Sequence, residues 1–334
     1  MNLSGPATKS ATATITSTSK AAPGTYTLTL TGTNGSLIIL SLLLKGDISL
    51  WTGNFILSRD LPQQAINLYD PDRDRSLPER FGAYDLMVGC HMFLAHDLWY
   101  LGYPDQALAS AQEALRWARE LNHPYSLAAA GTHCAWIHVH RGESRIALER
   151  ALENRRFAEE HHFPSHVAHA SVVCGWARSE QAELERGIAE LREGIELYRS
   201  VGALTEYPLM AMQLADALLR AGRINAAMEA IETALVGFDG SPLFCDADIP
   251  RWKGEICMVN GSAEHAEPYF KTALENARRQ QAKSLEFRAA IGLGRAMVGR
   301  GRSSEALEVI DSQYSWFSEG LDTANLISAR SMLD

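Results

Sequence analysis

A grid of small residues recurs along this chain every 39 or 40 positions. Its anchors are Gly102, Gly142, Ala182, Gly222, Gly261 and Gly301. Five positions after each anchor stand Ala107, Ala147, Gly187, Ala227, Ala266 and Ala306; seven positions before stand Ala95, Ala135, Gly175, Ala215, Gly254 and Gly294. A fixed period of this size describes a stack of supersecondary units, each burying its apolar face on its neighbours, rather than one globular core.

The offsets have a physical reading. Small residues on two helices joined by a glycine turn let the helix axes approach to ~8–10 Å. The anchor glycine ends the first helix, where a left-handed residue is needed and a missing Cβ removes the steric penalty. Larger apolar residues recur at helical spacing around the small ones, as in Leu108, Ala111 and Leu115, or Leu214, Leu218 and Leu219. Pro124, Pro164, Pro208 and Pro250 follow helix ends and suit the first turn of the next helix. Asp60 and Ala65 extend the grid to a seventh, weaker unit with Ile48–Ser58 as its first helix, and Trp316, Phe317, Leu321, Leu326, Ile327 and Leu333 suggest a final helix capping the stack. The expected fold is all-α: a right-handed solenoid of about seven helix pairs over residues 46–334.

Residues 1–45 differ in kind. They are rich in Thr and Ser, and the first carboxylate of the chain is Asp47. Thr25-Tyr-Thr-Leu-Thr-Leu-Thr31 alternates with period two and is followed by Gly32-Thr-Asn34-Gly35, the pattern of a strand and a turn. Alone, such a strand lacks partners, so the segment is expected to be disordered or an isolated hairpin. No basic start followed by an apolar core marks a signal peptide. The first repeat has no neighbour above it, which predicts self-association through the N-terminal end.

Composition excludes several function classes. A net charge of −9 argues against nucleic acid, which requires a basic stripe. The longest apolar run, Leu37–Leu44, falls short of the ~18–20 residues of a membrane span. The five cysteines, Cys90, Cys134, Cys174, Cys245 and Cys257, form no CxxC, and buried free thiols fit a reducing, cytoplasmic setting.

From residue 46 onward the chain resembles tetratricopeptide repeats of a longer, ~40-residue variety. The segments Leu101-Gly-Tyr-Pro-Asp-Gln-Ala-Leu108, Tyr69-Asp-Pro-Asp-Arg-Asp-Arg-Ser-Leu77, Ala277-Arg-Arg-Gln-Gln-Ala-Lys-Ser-Leu-Glu286 and Trp316-Phe-Ser-Glu-Gly-Leu-Asp-Thr-Ala-Asn325 resemble more specifically the C-terminal repeat region of bacterial signalling proteins. Those proteins carry a class III adenylate/guanylate cyclase domain and a STAND/AAA-type ATPase domain ahead of the repeats. The resemblance implies a non-catalytic sensing or docking module with a protein or peptide in its concave groove, and the alternative is a small-molecule sensor. It brings no catalytic, cofactor or metal residues, since no GxxxxGK[ST] loop occurs.

In this fold the first helix of each pair lines the concave face. Positions six before the anchors are His96, Trp136, Trp176, Asp216, Glu255 and Arg295, and Trp99 stands three before the first anchor. These seven residues are the candidate partner-binding set, with packing between neighbouring helices as the other role open to the tryptophans. His133, His138, His140, His161, His162, His166 and His169 cluster, but Pro164 breaks the helix between His162 and His166 and no HExxH occurs, so they are expected at a unit junction without metal. Arg278, Arg279, Lys283 and Arg288 read as a basic patch: a docking site for an acidic partner, or a solvated, salt-bridged face.

Overall fold

The computed structural model describes residues 9–17, 24–32, 34–75, 84–236 and 242–333. Strands β1 (Lys9–Ser17) and β2 (Gly24–Gly32) pair antiparallel, with Thr12 opposite Thr29. Helices α1 (Asn34–Trp51), α2 (Phe55–Leu68) and the short α3 (Pro71–Asp74) follow. The repeats then run as α4 (Leu86–Tyr100), α5 (Pro104–Leu121), α6 (Pro124–Arg141), α7 (Ser144–Glu160), α8 (Pro164–Glu180) and α9 (Leu184–Ser200). After these come α10 (Tyr207–Arg220), α11 (Ile224–Ala234), α12 (Asp248–Val259), α13 (Ala263–Arg279), α14 (Lys283–Val298), α15 (Ser303–Tyr314) and α16 (Ala324–Leu333). Seven helix pairs stack into a right-handed solenoid, and no helix among the described residues is long and apolar enough to cross a membrane.

The small-residue grid sits where two helices meet. Gly102, Gly142, Gly222, Gly261 and Gly301 all take φ between +72° and +93°, the left-handed turn that ends the first helix of a pair. Ala182 takes the same conformation at φ +67°, although it carries a Cβ. Ala95, Ala107, Ala147, Ala215, Ala227 and Ala266 have no solvent exposure, and Ala135 and Ala306 have almost none. The tightest approach joins α8 and α9, where a Cβ on Gly187 would lie 2.5 Å from the Gly175 carbonyl oxygen and one on Gly194 2.8 Å from that of Ala168. Gly254 and Gly294 make room instead for the Phe270 ring and the Ile310 side chain.

Two N-terminal expectations are corrected. Ile48–Ser58 is not one helix: α1 stops at Trp51, Gly53 turns at φ +76°, and Asn54 caps α2 through Oδ1, which accepts the Leu57 N–H. Asn34-Gly35, read as a turn, opens α1, so helix begins ahead of the expected boundary at 45/46. Helix follows because residues 36–44 are continuously apolar apart from serines, and Ile39 and Leu43 bury on the repeats. Of the two arrangements open to the Thr-rich segment, strands 9–17 and 24–32 take the two-stranded one: Lys9–Ser17 alternates Thr/Ser with Ala and Ile and pairs with Gly24–Gly32.

The superhelix closes on itself. The Phe244 N–H donates to the Trp51 carbonyl at 2.9 Å, and the two rings meet edge to face at 5.1 Å. The Ser284 hydroxyl donates to the Trp99 carbonyl at 2.5 Å, joining α14 to α4. The segment after α15 is a strap as well as a cap. Its Trp316 packs over Gly102, Glu319 accepts the free N–H groups of Asp105 and Gln106 at the start of α5, and Ala324 lies against Gly142. Arg141, 3% exposed, ties the strap through Asp322 and Asp105 at 3.2 and 2.8 Å. The expected cap forms from α16 together with Phe317: Leu326, Ala329 and the Phe317 ring pack with Phe287, Ile291 and Ile310, while Leu321 and Ile327 stay exposed.

Candidate functional site: the inner face of the helical array

Helices α4, α6 and α8 are buried on nearly every side, because each lies between its own partner helix and the first helices of the adjoining units. Polar groups on them must therefore find partners in the interior. The histidines His133, His140, His166 and His169 do so on the inner face, where first helices of adjacent units meet. His96 Nε2 and His133 Nδ1 share a hydrogen bond at 2.9 Å, and Thr132 Oγ1 meets His166 Nδ1 at 3.0 Å. Trp136 Nε1 donates to His169 Nδ1 at 3.0 Å, which leaves Nε2 to donate to Glu206 at 2.7 Å. The Tyr198 hydroxyl also donates to Glu206 at 3.2 Å.

Burial pushes His96, His133, His140 and His166 down to about 3, so they are neutral at pH 7. Burial would raise Glu206, but the adjacent His169 outweighs it and holds the carboxyl well below the usual range. Across the interior, burial lifts Asp47 on α1 to about 6 despite its hydrogen bond from Trp51, and burial raises Asp97 well above the usual carboxylate value. Among the described residues no group of three or more His, Cys, Asp or Glu is arranged to hold a metal ion, and all five cysteines are free.

The candidate set divides into two groups. His96, Trp99 and Trp136 are enclosed, at 5%, 3% and 2% exposure, with Trp99 stacked on the His140 ring at 4.1 Å. Packing between neighbouring helices is thus the arrangement seen for Trp99 and Trp136. Trp176 and Asp216 line a cavity of about 210 Å³, together with His140, Gln213, Arg220, Trp252 and Arg288. The strap residues Ala324 and Asn325 form part of its wall. Glu255 and Arg295 pair with each other at 2.5 Å outside that cavity.

The basic patch dissolves in three dimensions. Arg278 and Lys283 both pair with Glu286, and Arg279 faces Asp246. Arg288 instead points inward, 3.8 Å from Asp248 and 5.8 Å from the Trp99 ring centre. Glu206, Gln213, Trp252 and Arg288 were not in the candidate set. The grid carries a weak signal for one of them: thirteen positions before three of the six anchors stand His169, Asp248 and Arg288, while Gly89, Ala129 and Leu209 hold the other three places.

No family model matches the sequence, and no curated protein matches it. Solved structures do. A Rap protein complexed with competence and sporulation factor superposes with a TM-score of 0.63 at 11% identity, over 90% of this chain and 76% of that one. NprR in complex with its cognate peptide NprX gives 0.57 at 12%, over 87% and 82%. Aspartyl phosphate phosphatase F from Bacillus subtilis gives 0.53 at 12%, over 87% and 72%. At these identities the likeness establishes the fold, a tetratricopeptide-type helical repeat array.

Proposed function

We propose that this chain is a non-catalytic interaction module that receives a protein or peptide segment on its inner face, as the sensor or docking part of a bacterial, cytoplasmic signalling system. One observation carries the reading: a helical repeat array closed by its own strap encloses a cavity walled by two tryptophans, two arginines, two amide side chains and two carboxylates, an aromatic and hydrogen-bonding lining suited to peptide. The like-folded Rap and NprR structures hold competence and sporulation factor and the peptide NprX, which supports the same use here. The resemblance of several segments to the repeat region of cyclase–ATPase signalling proteins supports a role beside an effector domain. The small-molecule alternative calls for an apolar pocket between Trp136 and Trp176. Trp136 is instead engaged by His169, and the walls around Trp176 are charged.

A pull-down from a bacterial cytoplasm tests the proposal, comparing the wild type with a Gln213→Arg/Ala324→Arg variant that fills the cavity from two walls. The expected result is a partner held by the wild type and lost by the variant, with helicity unchanged by circular dichroism. Equal retention by both would move binding to the outer surface and overturn the reading.

A further inference from the structure

The ion pairs around the inner cavity do not balance locally. On one side, Arg220 serves both Glu180 and Asp216, so that two carboxylates share one guanidinium. On the other, Asp248 receives Arg251 at 2.6 Å and has Arg288 only at 3.8 Å, so that two guanidiniums share one carboxylate. Glu255, 3.9 Å from Arg251, is already taken by Arg295 at 2.5 Å. The Arg251–Asp248–Arg288 group therefore carries one positive charge beyond its ion-pair partners; Arg251 and Asp248 are buried, whereas the Arg288 side chain keeps a quarter of its surface open to the cavity.

The unmet hydrogen-bonding capacity lies on the same side. Arg288 makes no hydrogen bond among the described residues, and Arg251 leaves Nη2 buried without a partner. His140 lines the cavity at 9% exposure, stacks on the Trp99 face, and leaves its Nε2 buried and unpartnered. Arg288 is thus an unpaired donor on the cavity wall, set beside the His140 ring by the Trp99 face that both approach.

We propose that Arg288 is the carboxylate-binding residue of this cavity, taking an acidic side chain or the free C-terminus of a bound peptide, with His140, Trp176 and Trp252 as walls. A carboxylate there completes an alternating row of charge with Arg251, Asp248 and Arg288 and supplies the acceptor that the Arg288 fork lacks. Glu180 and Asp216 across the cavity suit a ligand of single negative charge better than a phosphate dianion, which they would repel. The cavity of about 210 Å³ holds one or two residues of a peptide, not a folded domain. This assignment rests on the peptide-binding reading above and deepens it.

The test passes a pool of random hexapeptides over immobilised full-length protein and identifies the retained ones by mass spectrometry, once with free C-termini and once amidated. The wild type should enrich retained peptides at least tenfold. Enrichment of Asp and Glu that survives amidation identifies a side chain, and retention that amidation abolishes identifies the C-terminus. Arg288→Met should lose that preference by about tenfold, and Arg288→Lys should keep part of it. Retention with no acid preference, insensitive to amidation, would overturn the role of Arg288 and leave the peptide reading standing. No retention by folded wild type would remove both. Because the free and amidated pools are compared on the wild type, the result does not depend on the variants folding.

Discussion

Asp105 accepts the backbone N–H of Gly320 at 2.9 Å, joining the start of α5 to the strap before the last helix, 215 positions later. An open solenoid has no such contact between its early and late units, because each unit touches only its neighbours. Here the strap returns the chain to its beginning, and the inner face becomes an interior with a small cavity in it.

Removing this clasp should open the ring without melting the helices. In an Asp105→Ala/Glu319→Ala variant the strap loses the hydrogen bonds to Gly320, Asp105 and Gln106, each a partly exposed contact contributing about 0.5–1 kcal/mol. Limited proteolysis should cut residues 315–323 several-fold faster than in the wild type, at unchanged helicity. Unchanged cleavage would mean that Trp316 over Gly102 holds the strap unaided.

Gly187→Leu should destabilise by ~1–3 kcal/mol or more, since the added side chain meets the Gly175 carbonyl and Ser179 across the closest helix pair. Chemical denaturation would show it as a lower midpoint at constant slope.

Ala182→Gly should stabilise by about 0.5–1 kcal/mol. Ala182 is an exposed residue at φ +67° in the one repeat whose turn lacks glycine, and the left-handed penalty disappears with its Cβ, less the entropy that glycine adds to the unfolded chain. The converse change, Gly222→Ala at φ +72°, should cost about 1 kcal/mol although nothing lies near its Cβ. Thermal unfolding of both variants checks the pair.

Acid should weaken the fold from about pH 6.5 downward. His96, His133, His140 and His166 are held at about 3, against 6.5 in the unfolded chain, so their contribution is full above pH 6.5 and is lost as pH falls toward 3. Asp47 and Asp97, raised by burial, act in the opposite sense, because the folded chain keeps protons there that the unfolded chain releases. The four imidazoles outweigh these two carboxyls, so this set takes up protons on unfolding between pH 6 and 5 and stabilises the fold less as the pH falls. Urea unfolding at pH 7, 6 and 5 measures it, and a stability that rises toward pH 5 would contradict the buried, neutral histidines.

Much of this molecule was legible in the sequence, and for a physical reason. Helix pairing within and between adjacent units is local, so the residues that touch recur at fixed offsets: Gly102, Ala95 and Ala107 announce a turn and a close crossing without knowledge of the rest. Turn glycines, helix-opening Pro124 and Pro164 and the tight Gly175–Gly187 contact all belong to this class. What only the tertiary structure decided depends on the curvature that the units accumulate together, which brings Trp99 to Ser284, Asp105 to Gly320 and Trp51 to Phe244. That curvature turned Arg288 from a surface basic patch into the wall of a cavity, and it enclosed the tryptophans expected on an open groove. A repeat pattern fixes the step between neighbours, whereas the contacts across the ring depend on the sum of all the steps, and no single offset in the sequence records that sum.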